Sequence, residues 1–121
     1  MMRLMIALIC TFFVAPAFAM TTLSSSSIEI VSTTELQCVF VNVSSNPLDV
    51  TVNVVDINAN LLLTTTFSAV PSHKGETLDF TQPGGPDLFC QFTFSGSSKS
   101  LRAALEVTDL TGVPLVTLPA T

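Results

Sequence analysis

From Leu88 to Ser95 the chain places Leu88, Cys90, Phe92 and Phe94 at one parity and Gln91, Thr93 and Ser95 at the other. Successive side chains of a strand point to opposite faces, so this spacing predicts a strand with one buried and one wet face. Phe89 alone breaks the polar parity, and a single exposed aromatic is ordinary. Cys38 has the same setting, in phase with Leu36 and Phe40 on a strand expected over 35–43. Two sulfurs that point into one apolar interior from facing strands predict a Cys38–Cys90 disulfide.

The compartment follows from the other end of the chain. Met1-Met2-Arg3 precedes an apolar run from Leu4 to Val14, which has the length of a secretory signal core and is too short to span a bilayer. Ala17-Phe18-Ala19 supplies the small-x-small cleavage pattern, so residues 1–19 are expected to be removed. Cys10 would leave with them. A lipidation cysteine follows the apolar run behind a small residue, whereas Cys10 lies inside it behind Ala7-Leu8-Ile9. That leaves an even pair, Cys38 and Cys90, in an oxidising compartment, and a secreted or periplasmic location with no transmembrane segment in the mature chain. A bond closing a loop of about fifty residues is worth about 4 kcal/mol on the chain-entropy model. A whole domain is stable by roughly 5–15 kcal/mol, so the disulfide is a large share.

The exported part is the size of one domain. Residues 20–27 are rich in hydroxyls, with Leu23 the one aliphatic residue after Met20, and read as a flexible lead-in; the folded unit is expected over 28–121. Ile28-Glu29-Ile30 is expected to open the first strand. The cysteine strand ends at Ser44-Ser45-Asn46-Pro47, and Leu48 to Val54 alternates again. A turn over 56–60, a return strand over 61–69 and a short strand over 76–80 come next, the last separated by the loop 70–75. After the cysteine strand at 88–95, Gly96 to Lys99 turns the chain into a strand over 101–108. Asp109-Leu110-Thr111-Gly112 turns it again, and the segment 113–118 reads as an edge strand because of Pro114. The turns at 56–60 and 109–112 both follow a Val-x-Asp strand end. Seven to eight short strands at this spacing predict an all-β, two-sheet sandwich with one inter-sheet disulfide.

At this point the chain resembles the immunoglobulin-like sandwiches, with Cys38 and Cys90 in the places of the inter-sheet pair on the second and sixth strands. It has no tryptophan, and Leu88 stands two residues before Cys90 where antibody-type domains place a tyrosine. The valine-rich strands joined by Asn46-Pro47, and the loop from Val70-Pro71 to Gly75-Glu76 leading into Leu78, look like the sandwich repeats of bacterial cell-surface and exported proteins. The resemblance implies a fold and a compartment, and no activity.

Residues able to do chemistry are scattered. His73 is the only histidine and sits in a loop, which excludes multi-histidine metal centres and gives a serine triad no placed base. Asp56-x-Asn58-x-Asn60 starts like a calcium loop, but Leu61 stands where glycine belongs and Phe67 where a bidentate glutamate belongs. A turn explains the same residues, and also Asp109 to Gly112. Asn42-Val43-Ser44 fits the glycan acceptor rule but lies within a predicted strand. No metal, cofactor or catalytic residue is expected. The formal charge of −5, one unit more negative once Arg3 is removed, repels phosphate backbones and anionic headgroups, so nucleic acid is not an expected partner.

One feature exceeds what a sandwich needs: Val39, Val41 and Val43 make the second face of the cysteine strand apolar too. Valine's strand propensity accounts for them, and so does a surface that meets a partner or another copy. The expected function is thus a non-catalytic binding or structural module of the cell envelope or extracellular space, with an unidentified protein or envelope component as partner. A pilus-type or self-assembling subunit is the alternative reading, and a hydrolase a more distant one.

Overall fold

The computed structural model describes residues 19–31, 34–81 and 85–121. The expected export signal, apart from Ala19, lies outside the described residues, as do Cys10 and most of the connection before the Cys90 strand. Among the described residues eight strands form two four-stranded sheets: β1 (Met20–Ser24), β2 (Thr34–Asn42), β3 (Leu48–Asp56), β4 (Leu61–Val70), β5 (Gly75–Phe80), β6 (Leu88–Ser95), β7 (Leu101–Asp109) and β8 (Pro114–Pro119). One sheet has the order β1-β6-β3-β4 and the other β5-β2-β7-β8, and every pairing is antiparallel.

The all-β sandwich predicted from the alternation is the fold observed. Leu88, Cys90, Phe92 and Phe94 are buried on β6, facing Leu36, Cys38 and Phe40 on β2. Cys38 and Cys90 are bonded, S–S 2.03 Å and Cα–Cα 5.7 Å, and so tie the middle of one sheet to the middle of the other. Around the sulfurs pack Val50, Val52 and Val54 from β3 and Leu105 and Val107 from β7. Phe40 meets Phe92 and Phe67 edge-on, with ring centroids 6.3 Å and 5.5 Å apart. Such pairs add about 0.5–1.5 kcal/mol beyond their buried area.

Two expectations are corrected. Residues 20–27 are not a loose lead-in, because Met20–Ser24 is β1, fully paired with β6. Leu23 is only 5 % exposed and lies opposite Phe92, while Thr22 bonds Thr93 across the outer face at 3.2 Å. Just after β1, Ser25 Oγ accepts from the Cys90 N–H at 2.9 Å. The segment at Ile28 makes a single bridge to Leu88 and does not open a strand. The strand order, which the alternation does not specify, places β7 beside β2 and leaves β6 paired with β1 and β3. In immunoglobulin domains the strand after the second cysteine stays beside it, so the strand order departs from theirs while the two-sheet architecture and the second-to-sixth-strand disulfide are shared.

Two hairpins, β3–β4 and β7–β8, are closed by copies of one turn. Asp56 Oδ1 accepts from the N–H groups of Asn58 and Asn60, both at 2.9 Å, and Asp109 Oδ1 accepts from those of Thr111 and Val113, also at 2.9 Å. The fourth residue of each turn is left-handed, Ala59 at φ 68° and Gly112 at φ 92°.

Candidate partner surface

The sheet β5-β2-β7-β8 presents an outer face built in rows. Val39 lies between Thr77 and Ala104, with Pro119 beyond, and Val41 lies between Gly75 and Arg102. Gly75 and Ala104 are too small to cover the valines, so the face sinks into a shallow, mostly apolar hollow of about 350 Å³. Gly75 is dictated by this packing, since a Cβ there would stand 2.4 Å from the Phe40 carbonyl oxygen. Val41 remains 42 % exposed on the second strand of the sheet, with neighbours on both sides. Arg102 borders the hollow at one end, and the row Asp79–Gln37–Glu106 crosses the face beyond Val39.

Of the three valines singled out from the sequence, the structure brings Val39 and Val41 into this hollow. Val43 lies past the end of β2, its N–H bonded to the Ser100 carbonyl at 3.0 Å, and does not line the hollow. Asn42 turns inward before it and is fully buried. Its Nδ2 donates to the carbonyls of Asn46 at 2.8 Å and Val70 at 2.9 Å, and its Oδ1 accepts from the N–H and hydroxyl of Ser44 at 2.9 Å and 2.7 Å. With both hydrogens committed inside the fold, this amide is closed to a glycan in the native state.

The other sheet's outer face is different in kind. Thr22, Thr93, Thr51 and Thr66 form one row across β1, β6, β3 and β4, and Thr51 bonds Thr66 at 3.0 Å. In the next row the Thr64 hydroxyl donates to Asn53 Oδ1 at 2.6 Å. At its far end lies a feature the sequence reading passed over: Phe89, Val55, Ile57 and Leu61 line a second hollow of about 430 Å³. The signal was there in Phe89, the one residue out of parity on β6, which pairs with Val55.

His73 is exposed on the loop between β4 and β5, left-handed at φ 64°, with its N–H on the Asn42 carbonyl at 2.7 Å. Both carboxylates that suggested sites are turn anchors. Asp56 is held below its ordinary value of 3.8, chiefly by the Asn60 N–H and then by the Asn60 amide on Oδ2. Asp109 is lowered chiefly by the Thr111 hydroxyl at 2.6 Å and then by the Val113 N–H. Among the described residues there is no group of three or more His, Cys, Asp or Glu that could hold a metal ion, and no helix is long and apolar enough to cross a membrane. The chain matches no protein-family model, and no curated protein or solved structure is significantly similar to it.

Proposed function

We propose that this chain is an exported, non-catalytic binding or structural module of the cell envelope or extracellular space, an immunoglobulin-like sandwich of the bacterial kind that meets a protein partner through Val39 and Val41. The observation that carries the reading is the contrast between the two outer faces. Over most of one, hydroxyls and amides are bonded to each other; the other holds valines, alanines and a glycine in a hollow that no other part of the described chain fills. A partner patch that fits is apolar with a carboxylate beside it, set against Arg102. Export is supported by the disulfide, which persists in oxidising compartments, and by the signal pattern of residues 1–19.

The test is a photo-crosslinking residue placed at Val41, with one at Thr93 on the opposite face as control, followed by Val41→Lys. An adduct specific to Val41, and binding lost in the lysine variant with its melting temperature unchanged, is the expected result. Equal labelling from both positions, or full binding by the lysine variant, removes the basis of the proposal.

A further inference from the structure

Four strands stand at the edges of the two sheets, and three are blocked against further pairing. β8 carries Pro114 and Pro119, β5 carries Glu76 and Asp79, and β1 is only five residues long, with its last residue, Ser24, exchanging hydrogen bonds with Thr121 at 3.2 Å and 3.3 Å. Prolines, charges and covered edges are the usual means of keeping a strand from recruiting another. The fourth edge, β4, has none of them. Its ten residues, Leu61-Leu62-Leu63-Thr64-Thr65-Thr66-Phe67-Ser68-Ala69-Val70, contain no charge, no proline and no glycine. Only its register against β3 limits it, with irregularities at each end that leave an even ladder from Leu63 to Phe67.

We infer that β4 pairs antiparallel with β4 of a second copy, centred on Thr65. The five-residue ladder reads nearly the same in both directions. A two-fold axis at Thr65 sets Thr64 opposite Thr66 of the partner copy on the outer face, and Leu63 opposite Phe67 on the inner face. The threonine rows then run on from one copy into the next, hydroxyl against hydroxyl, and the half-buried Leu63 and Phe67 gain apolar neighbours. Charge does not oppose a second copy along this strand. The chain is formally −5, and two like-charged molecules approach most easily along a strand that carries none of its nine acids. The irregularities at both ends fix the register, because a slip of one residue would set the bulged positions into the ladder. Antiparallel edge pairing keeps the same face of both copies on the same side, so a dimer displays two valine hollows in one direction. The pairing itself does not depend on the hollow having a partner.

Sedimentation equilibrium on the purified protein tests this with a charge swap. Thr64 and Thr66 are exposed, so Thr64→Lys/Thr66→Lys and Thr64→Glu/Thr66→Glu leave the core intact, which a melting curve verifies. Wild type is expected to show a concentration-dependent doubling of mass. Each double variant is expected to dimerise at least ten-fold more weakly, since like charges then face each other across the axis, and an equimolar mixture of the two is expected to regain the dimer. A wild type that stays monomeric to about 1 mM, the weak limit of a specific contact, overturns the inference. So does either double variant that associates as wild type does, or a mixture that fails to recover. Should the double variants melt early, Thr66→Lys alone, which keeps the bond from Thr64 to Asn53, takes their place; its two lysines lie diagonally across the axis, so a smaller but measurable weakening is expected, and association equal to wild type overturns the inference.

Discussion

The paired turns at Asp56 and Asp109 permit an experiment in which one is the control for the other. Each holds a left-handed residue at its fourth position, but the β7–β8 turn puts Gly112 there and the β3–β4 turn puts Ala59. An L-residue in that conformation costs about 1–2 kcal/mol, and part of this is offset because alanine has less freedom than glycine to lose from the unfolded chain. A Cβ built on Gly112 meets nothing within 4 Å, so Gly112→Ala carries no steric clash and only the conformational term remains. Ala59 is exposed, so Ala59→Gly gives up no buried area. The expected result is a loss of about 1 kcal/mol for Gly112→Ala and a gain of similar size for Ala59→Gly. For a domain of this length that is a shift of about 4–8 °C in opposite directions, read by thermal unfolding with the disulfide intact. The turns lie in different sheets, so the double variant should return close to wild type. If Ala59→Gly fails to stabilise while Gly112→Ala costs the full amount, the two turns are not equivalent and the reasoning from their shared hydrogen-bond pattern is wrong.

Cys38→Ala/Cys90→Ala removes a cross-link with a sequence separation of 52 and should cost about 4 kcal/mol from loop closure before any cavity term, read as a lower urea midpoint. A midpoint equal to that of the oxidised protein would contradict it. Asn42→Ala strips four hydrogen bonds from a buried site and leaves the Val70 carbonyl without its side-chain partner; a loss of about 3 kcal/mol or more is expected, and a loss under about 1 kcal/mol would mean the site admits water. The lowered Asp56 and Asp109 carboxyls bind protons more weakly folded than unfolded, so their stabilisation is present above the ordinary value of 3.8 and is lost as pH falls below it. Melting should therefore fall on the acid side of about pH 4, and Asp56→Asn/Asp109→Asn should flatten that limb; an unchanged limb in the double variant would show that other groups govern it.

What could be read from the sequence is what two-residue periodicity encodes. The faces of β6 and the inward cysteines needed only parity, and the echo of Val-x-Asp before the Asp56 and Asp109 turns marked a shared structure whose reason, one carboxylate oxygen accepting two backbone N–H groups, needed coordinates. Parity failed where strands are short or irregular. β1 has a single fully buried aliphatic, Leu23, so nothing repeats, and its place comes from pairing with β6. The valine stripe was extended to Val43 because the alternation continues in letters, but the backbone leaves the sheet after Asn42, whose buried amide joins the turn at 44–46 to the end of β4. Strand order is encoded in no single strand, which is why β7 could not be placed beside β2 beforehand.

Charge illustrates the same limit with a functional consequence. The net charge of −5 opposes anionic surfaces only within a Debye length of about 8–10 Å, beyond which salt screens it. The fold, however, gathers the few cations. The Lys74 carbonyl bonds the Asn42 N–H, the Ser100 carbonyl next to Lys99 bonds the Val43 N–H, and Arg102 pairs with Val41, so the three cations among the described residues lie around one end of β2. The opposite end holds Glu35, Asp56 and Asp109 on the strand ends. A molecule of net negative charge thus offers, at contact range, a cation at one end of its apolar hollow, Arg102. Because an ion pair at a partly desolvated edge adds selectivity more than affinity, Arg102 would decide which apolar partner is accepted, while Val39 and Val41 would supply the contact itself.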